Sequence, residues 1–164
     1  IKKTTAQGYA NESSWARGQA WGLYGYTMSY RYTKKPAYLA QADAIANYIL
    51  TNKTTPADGV PYWDYNDPKI PNVSRDASAA AITASALYEL AKYSKNAKRY
   101  KAAADKILYS LSTAYTSKIG DNYGFVLEHS TGHLPANSEI DVPINYADYY
   151  YIEALLRYKG KFNF

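Results

Sequence analysis

The sequence predicts an all-α protein, built as a toroid of helical hairpins or as part of one. Three observations carry that prediction. Apolar residues recur at helical spacing in five segments. Short breaks join the first four segments in two pairs, and a short break between helices favours antiparallel neighbours. Long loops rich in aromatic, Pro, Asp and Asn residues separate the pairs, so the first, third and fifth helices open near residues 14, 75 and 144. That period is too long for a short-repeat solenoid.

The first helix is expected over 14–32, a stretch without Pro, with Trp15, Leu23, Tyr26 and Tyr30 near helical spacing and Ser13 or Ser14 as N-cap. Thr33-Lys34-Lys35 breaks it, and Pro36 stands where the first turn of a new helix tolerates proline. The second helix runs to about Leu50, with Tyr38, Ala42, Ile45, Ala46 and Ile49 on one stripe. Residues 51–73 contain four Pro and read as a loop with one short strand at 60–65. Structureless loops of this length usually line a site. Ser74 or Asp76 opens the third helix, which runs through Tyr93 with a stripe of mostly small residues: Ala77, Ala80, Ala81, Ala84, Leu87 and Ala91. The fourth covers about 97–114, with Ala104, Ile107, Leu108 and Leu111 inward. Residues 115–143 return to loop composition, with alternation at 123–128 suggesting a strand or one arm of a hairpin. The fifth helix spans 145–157 and ends before Gly160. Lacking a partner for the fifth helix and a layer before the first, the chain reads as a truncated domain.

Composition narrows the function classes. The 164 residues are 47% hydrophobic and 20% charged, which fits a globular chain with one ordinary core and excludes fibrous or disordered classes. No apolar run reaches bilayer length. Without Cys there is no disulfide or thiolate chemistry. The net charge of +5 comes mostly from scattered Lys, with no stripe suited to tracking phosphates, so nucleic acid is not an expected partner. The twenty Tyr, three Trp and three Phe suit a packed core, a sugar-binding groove or a partner surface.

Polar residues gather at the openings of the odd-numbered helices: Gln7, Glu12 and Arg17, then Arg75 and Asp76, then Asp141, Asn145 and Asp148. Alternating helix directions bring these openings to one end of the molecule, where positive helix ends would favour a polar or anionic ligand. Arg17 and Trp21 lie four apart on one helix face, offering a guanidinium fork for a carboxylate and an indole plane for a sugar face. Trp15 and Trp63 are further stacking candidates. Asp76 and Asp141 are the internal carboxylates considered as a catalytic pair, although each also reads as a cap. His129 and His133 flank a Gly-containing turn poorly suited to a metal site, and no metal or cofactor is expected.

The stretch Ser14-Trp15-Ala16-Arg17-Gly18-Gln19-Ala20-Trp21-Gly22-Leu23-Tyr24-Gly25 resembles the signature of the unsaturated glucuronyl hydrolases, glycoside hydrolase family 88. The resemblance continues through Val60-Pro61-Tyr62-Trp63-Asp64, Arg75-Asp76-Ala77-Ser78-Ala79-Ala80-Ala81 and Asp148-Tyr149-Tyr150-Tyr151-Ile152-Glu153-Ala154-Leu155. It implies a six-hairpin α/α barrel, of which residues 1–164 would be the C-terminal portion, a partial barrel of about five helices in one hydrolase domain. The missing N-terminal half would then be a partner of this chain, and the exposed cut face would favour self-association.

The resemblance further implies removal of a 4,5-unsaturated uronic acid from the non-reducing end of lyase-generated oligosaccharides. In that chemistry an Asp protonates C4 of the C4=C5 vinyl ether and activates water toward C5, and the resulting hemiketal opens to release the next sugar. The catalytic Asp pair would lie upstream of residue 1. Gln7, Arg17 and Trp21 match positions lining the substrate site, with Trp15, Trp63, Asp76 and Asp141 left to supporting roles. An isolated chain would have little or no activity, and its source compartment would be bacterial cytoplasm or periplasm. The alternative reading is a non-catalytic helical module that binds carbohydrate or protein.

Overall fold

A computed structural model describes residues 4–162. Five helices form the bulk: α1 (Ala16–Thr33), α2 (Pro36–Thr51), α3 (Ala77–Leu90), α4 (Ala97–Ala114) and α5 (Asn145–Tyr158). A two-stranded antiparallel hairpin, β1 (Ser130–His133) and β2 (Ser138–Val142), precedes α5, with Thr131 opposite Ile140 and His133 opposite Ser138. The bulk is all-α, arranged as a segment of an α/α toroid. Helices α1, α3 and α5 make one layer with α3 in the middle, while α2 backs α1 and α4 backs α3.

Local chemistry fixes the turns. Lys34 ends α1 in the left-handed region at φ 55°, its N–H donating to Tyr30 O at 2.8 Å, and Pro36 then begins α2. Asp76 caps α3 by accepting from the N–H groups of Ser78 and Ala79. Gly160, at φ 65°, closes α5 by donating to Arg157 O.

Every residue of α3 is buried. Its Ala and Ser side chains are too short to fill space themselves, so the neighbouring helices close over it. On the flank of α1 away from α2, Trp21 and Tyr24 each meet Tyr150 of α5 edge to face, with centroids 5.1 Å apart. Below this aromatic roof lies a buried ionic cluster. Arg157 reaches Glu89 at 2.8 Å and Glu153 at 3.2 Å, Arg31 reaches Glu89 at 3.2 Å, and Tyr24 donates to Glu153 at 3.2 Å. The network thus joins all three helices of the layer.

Four boundaries differ from the sequence expectation, one of them the end of α3, which stops at Leu90 rather than at Tyr93. Helix α1 starts later than predicted: Trp15 occupies the N-cap without a side-chain bond, while Ser13 instead donates to Asp64 at 2.7 Å. The strand expected at 60–65 reduces to isolated bridges, Trp15 with Asp64 and Tyr62 with Arg75, because this loop pairs with two separate segments rather than with one strand. Of the strand expected near 123–129 only the end pairs: Leu127 bridges Thr116, with Ser117 N–H donating to Val126 O and Glu128 N–H to Tyr115 O, both at 2.9 Å. Residues 122–124 form a short 3-10 turn, with Asn122 and Tyr123 at positive φ, and the hairpin starts at Ser130.

Candidate functional site

The openings of α1 and α3 meet, as their polar residues suggested, and hairpin β1–β2 lies against them. Asp64, withdrawn from solvent, anchors the N-terminal segment: it accepts from Tyr9 N at 2.9 Å and from Ser13 Oγ, while Ala16 N donates to Trp63 O at 2.9 Å. These bonds hold the entry to α1 and so place Arg17.

Arg17 is 3% exposed, and its guanidinium is committed to the protein. Nη1 donates to Asp76 Oδ2 at 3.0 Å and to Thr131 O at 2.6 Å, and Nη2 donates to Gly132 O. Its plane also packs on Trp15 at 4.8 Å and Tyr146 at 5.4 Å. Arg17 therefore joins three elements: its own helix, the cap of α3 and strand β1. Asp76 is fully buried, and burial pushes its carboxyl up, while Arg17, the Ser78 hydroxyl and the Ala79 N–H pull it back.

Gln7 Nε2 donates to Gly132 O at 3.4 Å, so the same carbonyl receives both Gln7 and Arg17. His133 Nε2 bonds Ala6 O at 2.9 Å and ties the hairpin tip to the N-terminal segment. Trp21 lies beside Tyr146, with centroids 6.4 Å apart, and lines a shallow groove of about 330 Å³ with Gly25 and Met28. Trp63 is buried and donates to Asp67 Oδ2 at 2.7 Å, which gives it a structural role in the 51–76 loop. Asp141 is exposed and pairs with His129 Nδ1 at 2.7 Å. Asp76 and Asp141 thus have separate partners, and the structure does not assemble them into a carboxylate pair. Glu12 makes no pair with Arg17. Arg75 turns away from the cluster to Asp58, which also accepts from Tyr115 at 2.9 Å.

The structure adds three groups that residue spacing did not single out. Tyr146 stands between Arg17 and Trp21. Burial raises its hydroxyl pKa, Arg17 opposes the rise, and the charges of Asp76 and Glu139 add to it. Gly132 supplies the carbonyl that receives Arg17 and Gln7. Glu139 packs over Gly132. One Tyr among twenty carries no positional signal, and a backbone carbonyl carries none at all. Among the described residues, no three His, Cys, Asp or Glu side chains converge to hold a metal ion. No described helix is long and apolar enough to cross a membrane.

No protein-family model matches the chain. Among curated proteins, it is 56% identical over 156 residues to an unsaturated glucuronyl hydrolase of Formosa agariphila, covering 94% of this chain and 39% of that protein. It is 35% identical over 167 residues to an unsaturated chondroitin disaccharide hydrolase of Streptococcus pyogenes serotype M1, covering 99% of this chain and 41% of that protein. Among solved structures, an unsaturated glucuronyl hydrolase described as specific for heparin superposes with a TM-score of 0.95 at 50% identity, over 98% of this chain and 43% of that one. The unsaturated glucuronyl hydrolase of Bacillus sp. GL1 superposes with a TM-score of 0.90 at 34% identity, over 97% and 43%. The chain spans about two-fifths of the length of these relatives. The sequence and the fold together make this chain homologous to the unsaturated glucuronyl hydrolases of glycoside hydrolase family 88, matching part of their length.

Proposed function

We propose that this chain is the C-terminal portion of a bacterial unsaturated glucuronyl hydrolase, acting in the cytoplasm or periplasm. Its substrates would be lyase-generated oligosaccharides with a 4,5-unsaturated uronic acid at the non-reducing end. The observation that carries the reading is the agreement in sequence and backbone over almost the whole chain with hydrolases of that description. The local geometry agrees with it: the Trp21 ring offers a sugar-stacking face, and Gln7 and the hairpin form a wall beside it.

In the reaction, a proton adds to C4 of the vinyl ether and water adds to C5. The hemiketal so formed opens and releases the next sugar with its new hydroxyl. The acid that moves this proton belongs to the part of the relatives' length that this chain does not span. Here Gln7 and Trp21 contribute to substrate binding, and Arg17 acts through the wall that it holds. The isolated chain has little or no activity.

The test uses the full-length protein with unsaturated disaccharides, following loss of the ultraviolet absorbance of the C4=C5 bond. Wild-type protein that consumes none of them refutes the activity. Trp21→Ala should raise KM while leaving the fold intact.

A further inference from the structure

The positive charge of the chain is local, although no run of like residues marks it. Residues 92–106 carry six Lys or Arg and one Asp, a net +5 that equals the charge of all 164 residues, so the remainder is balanced. These six side chains, Lys92, Lys95, Lys98, Arg99, Lys101 and Lys106, are all exposed. Asp105 is engaged by Lys101 at 3.0 Å and by the Tyr88 hydroxyl. Asp43, the one charged residue of α2, accepts from Ser94 at 2.6 Å and from Tyr100 at 2.8 Å, where it ties α2 to the start of α4. The face is left strongly cationic. A groove of about 340 Å³ runs along it between α2 and α4. Ile49 and Ile107, both buried, form its base, and Arg99 and Lys106 stand at its edge. Their spacing of seven residues sets them on one side of α4, two turns or about 10 Å from each other. Arg99 also donates to Asn47 of α2 at 3.1 Å. In a ring of helical hairpins, further units join this segment beside α1 and α2 on one side and beside α5 on the other. The groove lies between the two backing helices, inside the segment, and neither join covers it.

We propose that this groove is a second carbohydrate site, which holds an acidic oligosaccharide of several uronate units on the outer face, behind the layer that carries Trp21. The choice of ligand rests on the function proposed above. Carboxylates recurring along such a chain match the cations recurring along α4, and its sugar rings have apolar faces for the base of the groove. Arg99 and Lys106 can each take one carboxylate of the same chain, so a chain with several binds more tightly than one with a single carboxylate. A membrane surface is disfavoured, because among the described residues none of the large exposed apolar side chains lines this groove. A nucleic acid is disfavoured too, because the groove has a single Arg and no ring on which a base could stack.

The test measures binding rather than turnover. The probe is an unsulfated hexasaccharide with a uronate in every second ring, titrated into full-length Trp21→Ala protein, in which the proposed substrate groove is weakened. A disaccharide of the same repeat is the short control. The hexasaccharide should bind more tightly than the disaccharide, and added salt should weaken it. Arg99→Gln with Lys106→Gln should weaken it about three- to thirtyfold, as expected for the loss of two exposed charge contacts. Both side chains are exposed, so this double variant should melt with its parent. Lys69→Gln with Lys118→Gln removes the same charge from exposed positions outside the groove and should have little effect. Equal losses in the two double variants would mean that binding follows net charge alone and would overturn the inference, as would a hexasaccharide that binds no more tightly than the disaccharide. Binding to vesicles rich in anionic lipid but not to the hexasaccharide, lost in Arg99→Gln with Lys106→Gln, overturns it in favour of a membrane surface. Wild-type protein that shows the expected binding but turns over no unsaturated disaccharide overturns the proposed function and leaves this inference standing.

Discussion

Arg17 and Asp76 form an ion pair at 3.0 Å with both side chains withdrawn from solvent, and the remaining donors of Arg17 hold the carbonyls of Thr131 and Gly132. A pair so placed has a cost in desolvation and a return in geometry. Truncating one partner leaves the other charged, buried and alone. Arg17→Ala should therefore destabilise the protein by about 3–5 kcal/mol in urea unfolding, and it should loosen the hairpin. Arg17→Lys keeps the charge but not the fork, and it should lose much of the same stability. An Arg17→Ala protein with native stability and impaired substrate binding would instead return Arg17 to direct contact with the ligand.

The second ionic cluster offers an internal comparison. Arg157 faces Glu89 and Glu153 deep between α3 and α5, and Ser85 bonds both Arg157 and Glu153. The Lys101–Asp105 pair on α4 is also an i,i+4 pair, but its side chains are 63% and 38% exposed. Arg157→Leu should cost about 3–5 kcal/mol, because Glu153 loses its buried counter-charge and Glu89 keeps only Arg31. Lys101→Ala should change stability by about 0.5 kcal/mol or less. Equal urea midpoints for the two variants would contradict this ranking.

The helices were legible because burial imposes a period on them. The prediction for α4, about 97–114, matches the structure, and its predicted inward residues Ala104, Ile107, Leu108 and Leu111 are buried. The loops were less legible. Tyr123 to Glu128 alternates like a strand, yet Asp148 captures the N–H groups of Val126 and Leu127 at 2.9 and 2.8 Å, so pairing there is confined to the bridge of Leu127 with Thr116 and the hairpin forms from Ser130 on. The site shows the same limit. Arg17 and Trp21 were visible as a helix-face pair, whereas the partners that hold Arg17 come from residues 76, 131 and 132. Two of those partners are carbonyl oxygens, which every residue possesses, so composition could not mark them.

The tyrosines predict the alkaline behaviour. Burial raises the hydroxyl pKa of Tyr24, Tyr65, Tyr88, Tyr93, Tyr100, Tyr115, Tyr146 and Tyr150. Tyr115 is pushed up to about 12 by burial and by its hydrogen bond to Asp58. A raised folded pKa means that the unfolded chain loses the proton first. The stability from these groups is fully present below about pH 10, the pKa of an unfolded Tyr, and is lost as pH rises through the folded values. For each such group still protonated in the fold, the slope approaches about 1.4 kcal/mol per pH unit. Phenolate absorbance should accordingly rise in two phases, exposed tyrosines first, with the second phase coinciding with loss of helical circular dichroism. A single non-cooperative titration centred near the unperturbed value, with helix retained, would refute it.

The flanks of the layer predict self-association. Helix α3 has a neighbour on both sides, whereas α1 and α5 each have one. The outer flank of α5 presents Tyr149, 58% exposed, and Ile152, 48% exposed, and the outer flank of α1 presents Met28 near Gly25. The accessible surface of 8957 Å² exceeds the roughly 8,200 Å² that size scaling gives a compact monomer of this mass. Apolar flanks of this kind recruit a partner when they are contiguous, and in the isolated chain the available partner is a second copy. Sedimentation of the isolated chain at tens of micromolar should show a weight-average mass that rises with concentration. Ile152→Lys places a charge on the exposed α5 flank, in the groove that Ile152 lines with Tyr149 and Leu156, and should lower that association without lowering helix content. If the wild-type chain sediments as one monomeric species at every concentration, the flanks do not associate. If Ile152→Lys associates as strongly as wild type, the contact lies elsewhere, and the groove between α4 and α5 lined by Leu108, Tyr109, Leu155 and Tyr158 becomes the next face to charge.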